Sequence, residues 1–337
     1  MTIKTIAAGA VFVALSGHAA STRAQSITTE AVLTTGASTD DVAVGAAQAR
    51  AFGDLKSGVR YFVEAAWARS SDEDGDSDAF DTAYPYANRI QIIEAYGERM
   101  FHPGDGIVNV RAGRFRTPFG ISSASEHAYL GFTRAPLIRY DGDFALSNNA
   151  LEHGADVVAG LPDLNVEVAL GAPGDVGSQP RRAGLDSTVR VQGYYGPFII
   201  GVSHTRTLPS ETMPFATGHA DFTGIDARFT RDGVQVRGEW LTGQPFDTAT
   251  TTGWYADLIL HRTFMGPVTA VARVERLDYE TPFEELDRYM RRQTVGARVR
   301  VTTPLSVSVN VIHQTGVSDE YSSMALDAGV TWSFRYR

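Results

Sequence analysis

The sequence predicts an all-β protein, a transmembrane antiparallel β-barrel of about 16 strands with a long loop folded into its lumen. Three observations predict this fold class. Segments of roughly 10–12 residues alternate apolar and polar side chains, and a tilted strand needs this length to cross a bilayer. The polar face carries full charges at mid-segment, which a water-filled interior accommodates. Short and long connections alternate along the chain, as they do at the two rims of such a barrel.

The strand assignments follow this period-two pattern from one end of the chain to the other. Between Leu305 and Val311, for example, every second residue is apolar and the residues between them are polar. The predicted strands cover residues 27–36, 40–52, 58–69, 88–101, 106–116, 152–160, 163–171, 186–195, 198–207, 219–230, 234–243, 252–263, 267–278, 291–302, 305–315 and 323–335. The first two are the least regular because residues 27–53 are rich in Ala, Thr and Gly, so a count of about 14 or 18 is also compatible with the pattern.

The composition narrows the classes of function. The chain has 337 residues, no cysteine and a formal net charge of −9. The lack of cysteine excludes disulfides and thiolate metal sites. The acidic balance argues against nucleic acid as a partner, which needs a basic surface. After the N-terminus, no apolar run approaches the ~20 residues of a membrane-spanning helix. No cofactor is predicted.

The first 24 residues have the layout of a secretory signal peptide. A positive start, Met1 to Lys4, precedes an apolar stretch from Ile6 to Leu15 and several small residues suited to cleavage. The alternative is a buried N-terminal helix, which the polar residues that follow at once disfavour. The predicted domains are therefore a signal peptide over residues 1–24 and one barrel over residues 25–337.

The connection over residues 117–151 is long and apolar. It contains Phe119, Ile121, Tyr129, Leu130 and Phe132 among other large apolar residues, which must be buried somewhere. Folding inward across the lumen would bury them and narrow the pore, so a constriction-type loop is predicted. It would also bring these polar residues near the barrel axis: His127, Arg134, Arg139, Asp141 and Asp143. The alternatives are an extracellular cap and an oligomer contact.

The run from Val110 to Gly120, with Gly113-Arg114-Phe115 and Pro118-Phe119-Gly120, resembles the strand-to-loop segment of Gram-negative outer-membrane porins of the phosphate-selective type. The preceding Ile93 to Tyr96 is similar to the strand before it in those proteins. The resemblance implies a 16-stranded channel, often trimeric, with a loop folded into the lumen. The lysine-rich selectivity features of that type have no counterpart after residue 24, where Lys56 is the one lysine. The chain also ends Phe334-Arg335-Tyr336-Arg337 rather than on an aromatic residue.

Charged residues around the long loop form the predicted constriction. Arg111, Arg114 and Arg116 precede the loop, and rings of arginine in a pore favour anions. Acidic residues opposite them would set a transverse field across the constriction; the candidates are Glu94, Glu98, Glu126, Asp141 and Asp143. The predicted lumen wall comprises Arg190, Arg237, Glu239, Arg273, Glu275, Arg298 and Arg300. The alternative is that these charges satisfy one another in a stiff wall, and the preference for anions or cations is left open.

The stretch from Asp72 to Asp78 places carboxylates at alternating positions. Oxygen-rich loops bind calcium, so Asp72, Asp74, Asp76 and Asp78 are a weak candidate site. No glutamate closes an EF-hand loop at the required position, which favours a solvated acidic surface loop instead.

These features together predict a passive diffusion channel for small polar or charged solutes in the bacterial outer membrane. The expected partners are outer-membrane lipid, small polar solutes or ions, and further copies of the chain in a homotrimer. One alternative is a non-conducting structural or adhesive barrel whose lumen the long loop plugs. Another is a barrel hydrolase, for which His153 near Asn148 and Asn149 would be a starting point, although the common hydrolase motifs are absent.

Overall fold

The computed structural model describes residues 24–40, 42–55, 57–71, 90–121, 130–139, 151–173, 184–208, 219–245, 249–261, 266–281, 288–316 and 323–336. Almost all of this part of the chain is β-structure. The strands are β1 (Ala24–Ser38), β2 (Ala43–Leu55), β3 (Val59–Ser70), β4 (Gln91–Phe101), β5 (Ile107–Arg116), β6 (Leu151–Leu161), β7 (Leu164–Pro173), β8 (Asp186–Tyr195), β9 (Phe198–Thr207), β10 (Ala220–Arg231), β11 (Val234–Gln244), β12 (Thr250–Leu260), β13 (Val268–Glu280), β14 (Arg288–Arg300), β15 (Leu305–Gly316) and β16 (Ser323–Tyr336).

The sheet closes on itself. Each strand pairs antiparallel with its neighbours in sequence, and β1 pairs with β16, with Glu30 opposite Arg335 and Ser38 opposite Asp327. Closure satisfies the backbone groups of every strand, which is the condition for a sheet to sit in hydrocarbon. The prediction of a 16-stranded antiparallel barrel is confirmed.

The strand ends differ from the predicted ones by a few residues. β14 begins at Arg288 instead of residue 291, because backbone pairing does not need an apolar side chain and Arg288 still pairs with Tyr279. β1 begins at Ala24, the last residue of the predicted signal peptide. Residues 1–23 lie outside the described part of the chain, so the signal peptide itself stays a prediction.

The connections alternate in length as predicted. Those at the end of the barrel that holds the start of β1 and the end of β16 are short, and we call it the short-connection end. Asp232 and Gly233 form one of these turns, with φ values of 49° and 81°. Two successive residues with positive φ are what a two-residue hairpin turn of the favoured twist requires. The opposite end, which carries residues 117–150 and 174–185 among others, is the long-connection end.

The two faces of the sheet differ in chemistry. Large apolar side chains are exposed on the outer face, for example Val189 and Val191 of β8, Ile200 and Val202 of β9, and Ile225 of β10. An outer surface of this kind belongs against hydrocarbon. The inner face carries polar and charged side chains, most of them buried. Among the described residues, no helix is long and apolar enough to cross a membrane.

Candidate functional site

Two described pieces of the long connection, residues 117–121 and 130–139, are buried inside the barrel. We call them the inner loop. Arg134 anchors its far end, because its Nε donates to Asp327 Oδ2 at 2.8 Å and its Nη2 donates to Asp40 Oδ2 at 2.9 Å. The Thr133 amide donates to Asn310 Oδ1 at 3.0 Å. This end of the inner loop is therefore held by β15, β16 and the connection between β1 and β2.

The other end of the inner loop is held by β9, β11 and β13. Residues 137–139 form a single 3₁₀ turn. The amide of Leu137 donates to Glu275 Oε2 at 2.6 Å. Arg139 Nη2 donates to Glu239 Oε1 at 2.6 Å and to the Phe119 carbonyl at 2.7 Å, so it joins the two pieces of the loop.

The barrel wall also satisfies carbonyl groups of the inner loop. Arg273 Nη1 donates to the Arg134 carbonyl at 2.9 Å, and Asn310 Nδ2 donates to the Gly131 carbonyl at 2.9 Å. Arg292 Nη2 donates to the carbonyl of Ala135. Buried backbone groups need hydrogen-bond partners. These side chains supply donors to three carbonyl groups of an irregular segment inside the barrel.

Apolar packing fixes the inner loop against the wall. Its side chains join wall residues in one buried cluster made of Phe119, Leu137, Ile138, Ala220, Phe222, Leu241, Tyr255, Leu277 and Met290. Glycines of the wall make room for it: a Cβ at Gly253 would lie 2.7 Å from Ile138 Cγ2, and one at Gly224 would lie 2.8 Å from Phe119 Cζ. The loop and the wall are therefore shaped to each other at these points.

The charged side chains of the wall behind the inner loop are buried. Arg237 Nε lies 2.9 Å from Asp257 Oδ2, and Arg273 Nε lies 2.7 Å from Asp257 Oδ1. Arg292 Nε lies 2.8 Å from Glu275 Oε1. The side chains of these five residues are at most 1% exposed. We call this inward surface of β9 to β16 the covered face. The five charges named here are out of reach of solvent, and Asp257 is shared between Arg237 and Arg273.

The inward surface of β2 to β8 is different. Its ion pairs keep part of their surface accessible, and we call it the open face. Arg116 Nη1 lies 2.5 Å from Glu94 Oε2, and these side chains are 10% and 11% exposed. Arg116 Nη2 also lies 2.8 Å from Glu64 Oε1, and Arg50 Nε lies 2.7 Å from Glu64 Oε2. Two arginines and two carboxylates thus form one continuous cluster on this face.

A second cluster on the open face surrounds Arg111. Its Nη2 lies 2.6 Å from Asp156 Oδ2 and 3.4 Å from Glu167 Oε1. Glu98 accepts from Asn109 Nδ2 at 3.0 Å and from Arg60 Nη1 at 3.3 Å. Arg111, Glu167 and Glu98 are 17–18% exposed.

The charges of the two faces lie at similar distances along their strands. On the covered face, Glu239, Glu275 and Asp327 lie four or five residues from the long-connection ends of their strands. On the open face, Arg111, Asp156 and Glu167 lie five or six residues from those ends. The lumen at this level is therefore bounded by the inner loop and the covered face on one side and by the open face on the other.

Most predicted site residues that the structure describes point inward. Arg111, Arg116, Glu94, Glu98 and Arg190 belong to the open face. Arg237, Glu239, Arg273, Glu275 and Arg298 belong to the covered face, and Arg134 and Arg139 of the loop bind to it. Arg300 is exposed near the short-connection end. Glu126, His127, Asp141, Asp143 and the weak calcium candidates Asp72, Asp74, Asp76 and Asp78 lie outside the described residues.

Arg114 departs from the expected position. Its register partners are Ala95 on β4 and His153 on β6, which places it on the outer face. Its Nε donates to the Ile93 carbonyl at 3.2 Å, and its Nη1 lies 2.7 Å from His153 Nε2. The reason is the two-residue period of a strand: once Arg111 faces inward, Arg114 faces outward. Arg116 has the same parity, but it ends β5 and its side chain turns inward to Glu94 and Glu64.

Several inward charges were not singled out from the sequence. They are Arg50, Glu64, Asp156, Glu167, Asp226, Asp257, Arg292 and Asp327. A signal existed for most of them, because each is a charged residue in a strand with an alternating pattern. Within the described ranges, no group of three or more His, Asp or Glu side chains is arranged to hold a metal ion.

Comparison with known proteins identifies relatives of the fold. No family model matches the chain, and no curated protein matches it by sequence. Solved structures do match. OprB of Pseudomonas putida, solved at high pH, has 11% identity over 92% of this chain and 93% of its own, with a TM-score of 0.63. OmpF of Salmonella typhi in complex with daunomycin has 9% identity over 92% and 97% of the two chains, with a TM-score of 0.61.

The anion-selective porin from Comamonas acidovorans is similar to the same degree. It has 11% identity over 92% of this chain and 99% of its own, with a TM-score of 0.61. At such identities the likeness concerns the fold. This chain has the closed 16-stranded barrel fold of bacterial outer-membrane porins.

Proposed function

We propose that the protein is a porin of the bacterial outer membrane, a passive diffusion channel for small polar or charged solutes. The observation that carries the proposal is the division of the lumen. The inner loop covers ion pairs whose side chains are at most 1% exposed. On the open face, the side chains of Arg116, Glu94, Arg111 and Glu167 are 10–18% exposed. A wall that remains wetted beside a loop that is fixed supports a permanent water-filled path.

The proposed constriction lies where the inner loop faces the open face. Arg111 and Arg116 supply its positive wall charges, paired with Asp156 and Glu94. In the proposed transverse field, the loop acids Glu126, Asp141 and Asp143 would stand opposite these arginines. The phosphate selectivity of the porins that the Val110–Gly120 segment resembles is not part of the proposal, because the inward charges described here are arginines and carboxylates in pairs.

The direct test of the proposal is single-channel recording in a planar bilayer with the refolded, detergent-purified barrel. A porin gives stable open steps of uniform size. A barrel that is folded by circular dichroism and inserts into vesicles without conducting contradicts the proposal, and it favours the non-conducting structural barrel whose loop plugs the lumen.

Deleting residues 122–147 tests the constriction. The deletion removes Arg134 and Arg139, and with them the anchors to Asp327 and Glu239. We expect a larger unit conductance, because the covered face would become part of the water path. Equal unit conductance in the deleted and complete chains would contradict a constriction at this loop.

A homotrimer remains the expected assembly. The outer face of β2 supports it, because the five successive outward residues before Leu55 are all small: Gly45, Ala47, Ala49, Ala51 and Gly53. Helix and strand backbones approach closely where small residues meet in a membrane, and lipid does not require such residues. The outer faces of β8 and β9 carry Val and Ile instead.

A further inference from the structure

The open face carries more carboxylates than arginines, and the excess lies in one cluster. The cluster of Arg50 and Arg116 with Glu64 and Glu94 has two positive and two negative charges. Arg190 meets Asp226 at 3.1 Å, one charge of each sign. These groups therefore add no net charge to the lumen.

The cluster around Arg111 is acidic. It contains Arg111 and Arg60 against Asp54, Glu98, Asp156 and Glu167, which is two positive charges against four negative ones. Arg190 stands opposite Glu167 in the register of β7 and β8 and pairs with Asp226, and adding this pair gives three positive charges against five negative ones. Arg111 is shared between Asp156 and Glu167, and Arg60 is shared between Asp54 and Glu98. Neither arginine can neutralise two carboxylates. We call Glu98, Asp156 and Glu167 the acidic trio.

Unsatisfied hydrogen-bond acceptors in this cluster also favour a positively charged solute. Asp156 is 1% exposed, yet its Oδ1 has no hydrogen-bond partner among the described residues, and neither does the buried Oδ1 of Asn109. The buried Nε of Arg111 also has no hydrogen-bond partner among the described residues, so the cluster contains one unsatisfied donor. Two buried acceptor oxygens beside an excess of carboxylate favour a species that brings positive charge or donors.

Five of the inward arginines lie in or beneath the inner loop. Arg237 and Arg273 share Asp257, Arg292 pairs with Glu275, and these three arginines are at most 1% exposed beneath the inner loop. Arg134 and Arg139 bind Asp327 and Glu239, and their side chains are 6% and 4% exposed. A charge that is buried and paired contributes little to the field that a solute meets in the lumen. The same holds for Asp156, so within the acidic trio the accessible charges are those of Glu98 and Glu167, which are 17% and 18% exposed.

We infer that the channel selects weakly for cations and that the acidic trio sets this preference. The favoured solutes are small inorganic cations and organic molecules that carry an ammonium or guanidinium group. The inference rests on the proposed function and adds its substrate class. It assigns the sign of the selectivity to three carboxylates on β4, β6 and β7, although the segment leading into the loop is rich in arginine.

The experiment is a reversal-potential measurement across a planar bilayer with unequal KCl on the two sides. A dilute salt of about 0.1 M or less keeps the Debye length near or above ~10 Å, so the wall charges act across the lumen. We expect the sign of a cation-selective pore. Glu167→Gln removes one exposed carboxylate of the trio, and we expect its potassium-to-chloride permeability ratio to fall by about twofold or more.

Two further variants complete the design. Glu98→Gln removes a different carboxylate of the trio and should lower the ratio in the same direction, which keeps the test valid if one variant does not fold. Asp232→Asn removes the same charge from an exposed turn at the short-connection end and should leave the ratio unchanged.

The outcomes separate the two proposals. A folded barrel without conductance overturns the proposed function and this inference with it. A conducting barrel whose reversal potential is zero or has the sign of an anion-selective pore overturns this inference alone. So does a cation-selective barrel in which Glu167→Gln and Glu98→Gln behave like Asp232→Asn.

Discussion

Arg273 shows how one residue holds the wall and the inner loop together. Its guanidinium pairs with Asp257, donates to the Arg134 carbonyl and lies 4.0 Å from the centroid of the Phe132 ring. Arg111 on the opposite side of the lumen has carboxylate partners too, but 17% of its side chain stays accessible. The same residue type therefore has a structural role under the loop and an electrostatic one on the open face.

Replacing Arg273 by methionine, which keeps an unbranched apolar side chain and removes the guanidinium, tests the structural role. Removing one member of a buried ion pair typically costs about 3–5 kcal/mol, and we expect a value near the lower limit because Asp257 keeps Arg237 as a partner while the Arg134 carbonyl loses its donor. We expect a matching drop in the free energy of unfolding, measured by urea titration in lipid vesicles. Arg231→Gln is the control, because its pair with Asp232 is exposed. Equal stability of the two variants would contradict an anchoring role for Arg273.

For an individual charged residue, the sequence predicts the face of the sheet better than it predicts the ion-pair partner. Arg237 and Glu239 alternate with apolar neighbours, so their inward orientation follows from the pattern. The partner of Glu167 does not, because Asp156 and Arg111 come from two other strands and only the register between strands brings them together. For Arg114 the predicted face itself is wrong, although its separation of three residues from Arg111 already indicates the outer face in a strand with a two-residue period.

At the scale of the element, the strands are the most predictable part of the molecule. Alternation identifies every strand because its physical cause, one face toward lipid and one toward water, acts along the whole length. Strand ends are less predictable, since pairing continues beyond the apolar pattern, as at Arg288. The inner loop is predictable in kind from its apolar side chains. Its path along β9 to β16 is not, because it depends on particular anchors such as Asn310 and Glu275.

The outer face of β2 allows a prediction about assembly. We expect Ala49→Leu to weaken the expected homotrimer, because a larger side chain would hold two closely packed barrels apart. Size-exclusion chromatography with light scattering in a mild detergent measures the change in mass. Ala227→Leu makes the same substitution on the exposed outer face of β10 and should leave the assembly intact. An unchanged mass in Ala49→Leu, or a complete chain that is monomeric, would contradict the assignment.

At the scale of the whole molecule, the closed barrel follows from general demands on the sequence. Solved porins share the fold at 9–11% identity because the fold asks only for alternation, strand length and turns. These demands leave the inward charges free to vary. The division of the lumen into a covered and an open face depends on contacts between residues as far apart in sequence as Arg134 and Asp327.

The central claim is that solutes pass along the open face and not along the covered one. The chain has no cysteine, so single cysteines can be placed without background. Glu167→Cys puts a thiol on the open face, and Thr294→Cys puts one at a buried inward position of β14, where Thr294 is 4% exposed.

The decisive measurement is the current through each single-cysteine barrel in a planar bilayer when a charged, water-soluble methanethiosulfonate is added. The account predicts that the current of Glu167→Cys falls in discrete steps as the thiol is modified, while the current of Thr294→Cys does not change. Modification and block at Thr294→Cys, with no effect at Glu167→Cys, would contradict it.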